Sequence, residues 1–261
     1  MLSAVAIFAI GLIANLSGHP RIILFVLEFG IIGNCLAELF RRDMSLGQTV
    51  FFATLFSVLL GFGFLFVIGH SQNMGPIEMI LNYLKGHLDA TIRAYNEMNI
   101  SDDNALEFET YARVFLSAIS KIFPSLMIVG TGFALWLNVV IAKPLFKIRH
   151  LPYPSFSAMD RWQAPDFLVW GLIASGFALF FFTGGIEVLA INALIVILAV
   201  YLCHGLSIVL FFLNKYHVSS WIRVGVYFLI IAQQLFLAIL ALAGLFDQWV
   251  DFRKIHRKAD S

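Results

Sequence analysis

Seven apolar stretches divide the chain, at residues 2–16, 22–39, 49–68, 122–141, 167–183, 186–213 and 221–246, with polar segments between them. A helix needs about 20 apolar residues to cross about 30 Å of hydrocarbon. Lipid offers the backbone no hydrogen-bond partners, so a spanning segment closes its own bonds as a helix or joins a barrel. No ten-residue alternation of the barrel kind is present. The pattern predicts an all-α, polytopic transmembrane helical bundle of about six or seven spans, forming one transmembrane domain over residues 1–261. The 186–213 run is long and is interrupted by Asn192, His204 and Gly205. It is the stretch expected to be broken or re-entrant.

One long polar insert, residues 70–120, separates the third and fourth stretches. Ile77, Leu81, Leu84, Leu88, Ile92 and Tyr95 recur at spacings of three and four, which is the stripe of an amphipathic helix. Lys85, Asp89, Arg93 and Glu97 fall on its other faces. The segment 99–104 breaks the pattern, and Ser101 or Asp102 can cap a second helix. That helix carries Phe108, Ala112, Phe115 and Ile119 on one side and an i,i+4 Glu109–Arg113 pair on the other. It is expected to run on into the fourth span, with Pro124 as an early kink. The insert therefore reads as an extramembrane amphipathic helical hairpin. It either lies on the bilayer or acts as a lid or docking element; helical period does not separate the two.

Composition confirms the solvent. Of 261 residues, 60% are hydrophobic and 13% charged, with 27 Phe and net charge +1; mean hydropathy is +0.88. Soluble domains carry about 25% charged residues. Nothing steers the chain toward nucleic acid. The two cysteines, Cys35 and Cys203, sit inside apolar runs and form no disulfide framework. The first stretch lacks a basic flank and a clean cleavage site, so it reads as a span and not a signal peptide. An apolar run starting flush with Met1 also raises the expectation of helices upstream. Arg41 and Arg42, then Lys143, Lys147, Arg149 and Arg161, then Lys215 and Arg223, mark three loops as cytoplasmic. They agree with an inside N-terminus and an outside insert. The basic polar tail, 247–261, with Arg253, Lys254, Arg257 and Lys258, disagrees: seven crossings would put it outside.

Candidate chemistry is sparse. Ionisable groups at membrane depth are functional suspects. Glu28 and His204 are the deepest, whereas Glu38 borders Arg41 and Arg42, and Glu187 follows the Gly184-Gly185 turn. Each of the deep pair reads either as a packing residue or as a ligand site. Asn34, Asn138 and Asn192 are interhelical glue by default and possible lining of a ligand cavity. Gly33 and Ala37 are a small pair that lets helices approach closely. In the tail, Asp247 or Asp251 can pair with Arg253 or Lys254, and Trp249 suits a membrane interface. Asp247, Trp249, Asp251 and Arg253 thus form either a structural anchor or a docking surface. No phosphate-binding loop, metal-ligand cluster or nucleophile elbow is present. No enzyme activity, metal or other cofactor is expected.

Several segments together resemble a known family. They are 37–42 (AELFRR), 123–126 (FPSL), 162–165 (WQAP), Asn192, 201–206 (YLCHGL) and 244–254 (GLFDQWVDFRK). Their order resembles the YybS-like family of bacterial inner-membrane proteins over nearly the whole chain. That family is thought to be distantly similar to the substrate-binding subunits of energy-coupling-factor transporters. The resemblance implies a multi-pass protein of the bacterial inner membrane that binds a small molecule for uptake, with partner membrane or ATPase subunits. If the chain binds a small molecule, the polar groups in its apolar runs, Glu28, Asn34, Asn138, Asn192 or His204, are expected to line the cavity. The alternative is a non-catalytic scaffold or assembly protein.

Overall fold

The structure is a computed structural model that describes residues 21–42, 44–97, 102–150, 153, 154, 156 and 158–253. The first apolar stretch and the cap at Ser101 lie outside them. The described residues are all-helical: α1 (Arg21–Arg41), α2 (Leu46–Ser71), α3 (Pro76–Asn96), α4 (Asp102–Ile148), a 3-10 turn (Met159–Arg161), α5 (Leu168–Phe181), α6 (Gly185–Lys215), α7 (Ser220–Ala232) and α8 (Gln234–Val250). They form two compact units, one of Met1–Met44 and Gln48–Pro154, the other of Ser45–Gly47 and Ser155–Ser261.

In the first unit, α3 and α4 pack against each other. Pro76 opens α3 at a position where its missing N–H is no loss. Most of the apolar stripe of α3 turns inward as its spacing predicts: Ile92 is buried and Leu81, Leu84 and Leu88 are half-buried, while Ile77 at the start of the helix is exposed, as are Lys85 and Arg93. Tyr95 stacks on Phe108, with centroids 4.2 Å apart, and so ties the two helices together beside their connection. The second amphipathic segment and the fourth apolar stretch are one continuous 47-residue helix, with Pro124 and Pro144 inside it. Glu109 and Arg113 pair at 2.8 Å and Glu38 and Arg42 at 3.3 Å. Both pairs are exposed, so each stabilises by about 0.5 kcal/mol or less. The close approach expected at Gly33 does not occur: a Cβ there would meet nothing within 4 Å.

In the second unit, α6 is the central helix and contacts α5, α8 and the 3-10 turn. Ala164, Ile197 and Tyr201 form its buried core, with Leu168, Val169, Leu172 and Leu245 packed around them. A turn through Gly184, at φ +74°, joins α5 to α6; only glycine holds that backbone without strain. Glu187 stands in the first turn of α6, where a carboxylate complements the helix dipole.

Two sequence expectations change here. The 186–213 run is an unbroken helix, because its interruptions are accommodated: Asn192 bonds back to the Val188 carbonyl at 2.7 Å, and Gly205 sits where α8 passes close. The break falls in the last apolar stretch. Gln233 adopts an extended backbone (φ −117°, ψ 108°), and α7 and α8 meet there at 101°.

The number of secure spans is also smaller than the pattern implies. Three described helices are long and apolar enough to cross a bilayer, Leu46–His70, Glu107–Ile148 and Gly185–Lys215, and the bent α7–α8 pair makes a fourth if it is one span. Its 14 residues give α5 a length of about 21 Å, short of the hydrocarbon thickness. Large apolar side chains cover the outside of the second unit, with Phe180 88%, Trp221 87% and Phe228 72% exposed. On a soluble protein such a surface would aggregate; on a membrane protein it faces lipid.

Candidate functional site

The second unit holds a buried polar network, and local sequence explains how it forms. Asp251 ends α8 in a left-handed conformation (φ 46°), and its N–H bonds the Asp247 carbonyl at 3.0 Å. Asp tolerates that conformation better than most residues. The chain then doubles back: Phe252 N–H bonds Asp247 Oδ1 at 2.8 Å, and the Arg253 side chain is carried inward. Arg253 Nη2 donates to Asp247 Oδ2 at 2.9 Å and approaches His204 Nε2 at 2.8 Å. All three side chains are at most 1% exposed.

A guanidinium only donates. The 2.8 Å contact therefore assigns the lone pair of Nε2 to Arg253 and the ring proton to Nδ1. The 3.1 Å approach of His204 to Asp247 follows from both accepting from the same guanidinium nitrogen. The cluster is then one cation, one anion and one neutral imidazole.

Arg253 also reaches the segment that enters α5. Its Nη1 donates to the Asp160 carbonyl at 2.8 Å, Ser207 Oγ at 2.9 Å and the Trp162 carbonyl at 3.1 Å. Ser207 in turn donates to the Trp162 carbonyl at 2.8 Å. This explains how a non-helical segment can lie along α6. Its carbonyls have no helical partners, and apolar surroundings make an unpaired carbonyl costly. Arg253 and Ser207 supply the missing donors. Two turns further along α6, Asn214 donates to Asp160 Oδ2 at 3.0 Å and accepts from Arg223 Nη1 at 2.7 Å.

Beside this network lies a cleft of about 240 Å³ lined by Gln163, Asp166, Trp170, His204, Gln248 and Trp249, with Ala164 and Val169. His204 Nδ1 and Gln248 Nε2 are buried and have no hydrogen-bond partner. The other end of the Gln248 amide faces the Tyr201 hydroxyl, whose oxygen lies 3.4 Å from Oε1. The cleft thus has a rigid, ion-paired floor, two unpaired donors in its wall, and a carboxylate and two indoles at its rim.

The residues singled out by sequence reasoning do not converge on one place. Glu28 lies on α1, and its side chain is outside the described residues. Asn34 and Asn138 are exposed on α1 and α4 and bond back to the Gly30 and Ala134 carbonyls, each at 2.9 Å. Asn192 is buried on α6, but twelve residues, or about 18 Å, from His204. Of these five, His204 lines the cleft. In the tail, Asp247 and Arg253 are buried and paired with each other, Asp251 is half-buried, and Trp249, 62% exposed, lines the cleft. Sequence reasoning missed Gln163, Asp166, Trp170, Tyr201, Ser207 and Gln248. A signal existed for some of them: the 162–166 segment places two amphipathic residues and a carboxylate directly before an apolar helix.

No metal-binding group of three or more His, Cys, Asp or Glu occurs among the described residues. No curated protein and no solved structure is similar enough to the chain to count as a relative. A family model matches residues 1–248, the long apolar helices among the described residues fit it, and the chain belongs to that family, described as "Predicted membrane protein (DUF2232)".

Proposed function

We propose that this chain is a non-catalytic, small-molecule-binding membrane subunit whose binding site is the cleft between the 163–166 segment and the end of α8. The observation that carries this reading is the pair of buried donors, His204 Nδ1 and Gln248 Nε2, unpartnered in the cleft wall. Most buried polar atoms in native proteins are paired, and an unpaired donor held rigidly beside a cavity is what an acceptor on a ligand would satisfy. The volume, about 240 Å³, lies below the roughly 300–1,000 Å³ of sites for drug-sized molecules. It suits a small polar compound. Native mass spectrometry of the full chain, released from nanodiscs made with host membrane, should show a small bound molecule that Gln248→Met removes. A bare wild-type mass would overturn the reading.

Six crossings are the topology best supported. The apolar pattern of 2–16 and 22–39 counts two crossings from sequence alone; α2, α4, α5 with its packed entry segment, and α6 add four, while α8 re-enters antiparallel to α6 and the chain doubles back at Asp251 toward the side that α7 left. What supports the last step is that Arg223 and Arg253 converge on the 3-10 turn carrying Arg161, through Asn214 and the Asp160 carbonyl. A basic tail then shares the cytoplasmic side with the basic loops, which removes the conflict that seven crossings create. In a background free of Cys35 and Cys203, Ser261→Cys should be labelled by an impermeant maleimide only after the cytoplasmic side is opened. A cysteine at Tyr83 should be labelled in intact cells. Labelling of both from the outside would refute six crossings.

A further inference from the structure

Resting on that reading of the cleft, we infer that its ligand carries an organic ammonium group next to an oxygen acceptor, of the amino-alcohol or choline kind. The lining settles the sign of the charge. Asp166 is the one acidic residue in the wall, and no Lys or Arg lines it. Arg253 is sealed beneath the floor and spent on Asp247 and the carbonyls of residues 160 and 162. His204 is neutral, because Arg253 holds its Nε2 lone pair. The start of α5 offers an anion little, since the N–H groups of Leu168, Val169 and Trp170 already bond the carbonyls of Pro165, Asp166 and Phe167. An anion entering this cleft would face a carboxylate with no counter-charge.

A cation meets three favourable groups. The Asp166 side chain makes no hydrogen bond to a described residue, and it lies within electrostatic range of Tyr201 and His204. Trp170 and Trp249 line the same cleft and are 74% and 62% exposed. Indole is the best aromatic partner for a cation, and such rings recur where methylated ammonium groups are bound. Deeper in, His204 Nδ1–H and the Gln248 amide N–H require an acceptor. An ammonium at the rim and an oxygen at the floor satisfy both ends. The oxygen can belong to a free amino alcohol or to the headgroup of a choline or ethanolamine lipid.

The test uses the full chain in phosphatidylglycerol nanodiscs, titrated calorimetrically with choline, tetramethylammonium and 3,3-dimethylbutan-1-ol, the uncharged carbon analogue of choline. Choline should bind, and the uncharged analogue at least tenfold more weakly. Asp166→Asn and Trp170→Leu should each weaken choline about tenfold with unchanged unfolding temperatures, since both side chains are exposed. Gln248→Met should weaken choline more than tetramethylammonium, which has no oxygen. Repeating the titration in phosphatidylcholine nanodiscs separates the sources. Apparent choline affinity at least tenfold lower, with a lipid retained in native mass spectra, identifies the headgroup; unchanged affinity identifies the free compound. Equal binding of choline and its uncharged analogue, or no effect of Asp166→Asn, overturns the ammonium inference. So does failure of choline and tetramethylammonium to bind. If wild-type protein still carries a small molecule that Gln248→Met releases, the cleft reading survives that failure; a bare mass removes both.

Discussion

Replacing Arg253 with methionine should destabilise the second unit by about 3–5 kcal/mol, the range for breaking a buried ion pair by removing one partner. The guanidinium is completely buried against Asp247, and its two terminal nitrogens serve one carboxylate, one imidazole, one hydroxyl and two carbonyls. Methionine fills similar volume, so the loss is electrostatic and not a cavity. It leaves Asp247 as an uncompensated anion, with a single backbone N–H from Phe252, and strips the Asp160 carbonyl of its donor from the tail. Asp247→Asn alone should cost less, because the amide can still accept from Arg253. The double variant Asp247→Leu with Arg253→Met should recover part of the loss, since well-packed apolar residues often replace a buried pair at no net cost. Unfolding of the purified protein in mild detergent, followed by circular dichroism against increasing SDS, reads all three against wild type. Arg253→Met unfolding within about 1 kcal/mol of wild type, the upper end for a surface pair, would mean that the clamp does not hold the fold.

How much of this could be read beforehand depends on sequence distance. The stripe of α3 and the Glu109–Arg113 pair involve neighbours three and four residues apart, so helical periodicity alone exposes them. His204 stands out as an ionisable group in an apolar run, and the Asp247–Arg253 pairing was among those open in the tail. Their joining into one network spans 43 residues between His204 and Asp247 and 93 between Asp160 and Arg253. Two of the acceptors are backbone carbonyls, which carry no residue-type signal at all. The cleft was illegible for the same reason: its lining comes from the entry to α5, the middle of α6 and the end of α8. The bend at Gln233 was hidden differently. No proline or glycine marks it, whereas Asn192 and Gly205 drew suspicion to a helix that is continuous.

The glycines of the α6–α8 contact should show the second large effect, with a sign opposite to that of a glycine elsewhere. Tyr201 meets Gln248 and His204 meets Asp247, while Gly205 lies against Leu240 and Gly244 against Tyr201, so the two helices run antiparallel. A Cβ on Gly205 would run into the Leu240 carbonyl, and one on Gly244 into the Tyr201 carbonyl and the Gly205 nitrogen. The obstacles are backbone on both sides, which cannot swing away as a side chain would. Small residues that let backbones touch are the main device for helix association where lipid removes the hydrophobic drive. Gly205→Ala and Gly244→Ala should therefore each destabilise by about 1–3 kcal/mol, the range for overpacking a close contact. Because they face each other, their combination should fall short of the sum: once the helices are pushed apart by one methyl, the second meets less resistance. Gly33→Ala on α1 is the control. Nothing lies within 4 Å of the added methyl, so the better helix former should leave stability unchanged or raise it by up to about 1 kcal/mol. The same SDS titration separates the three. Separating α6 from α8 also displaces His204 from Asp247 and Gln248 from Tyr201, so the Gly205 and Gly244 variants should lose the cleft's bound molecule while Gly33→Ala retains it. Retention by Gly244→Ala at wild-type stability would show that the helices have room which the backbone positions deny.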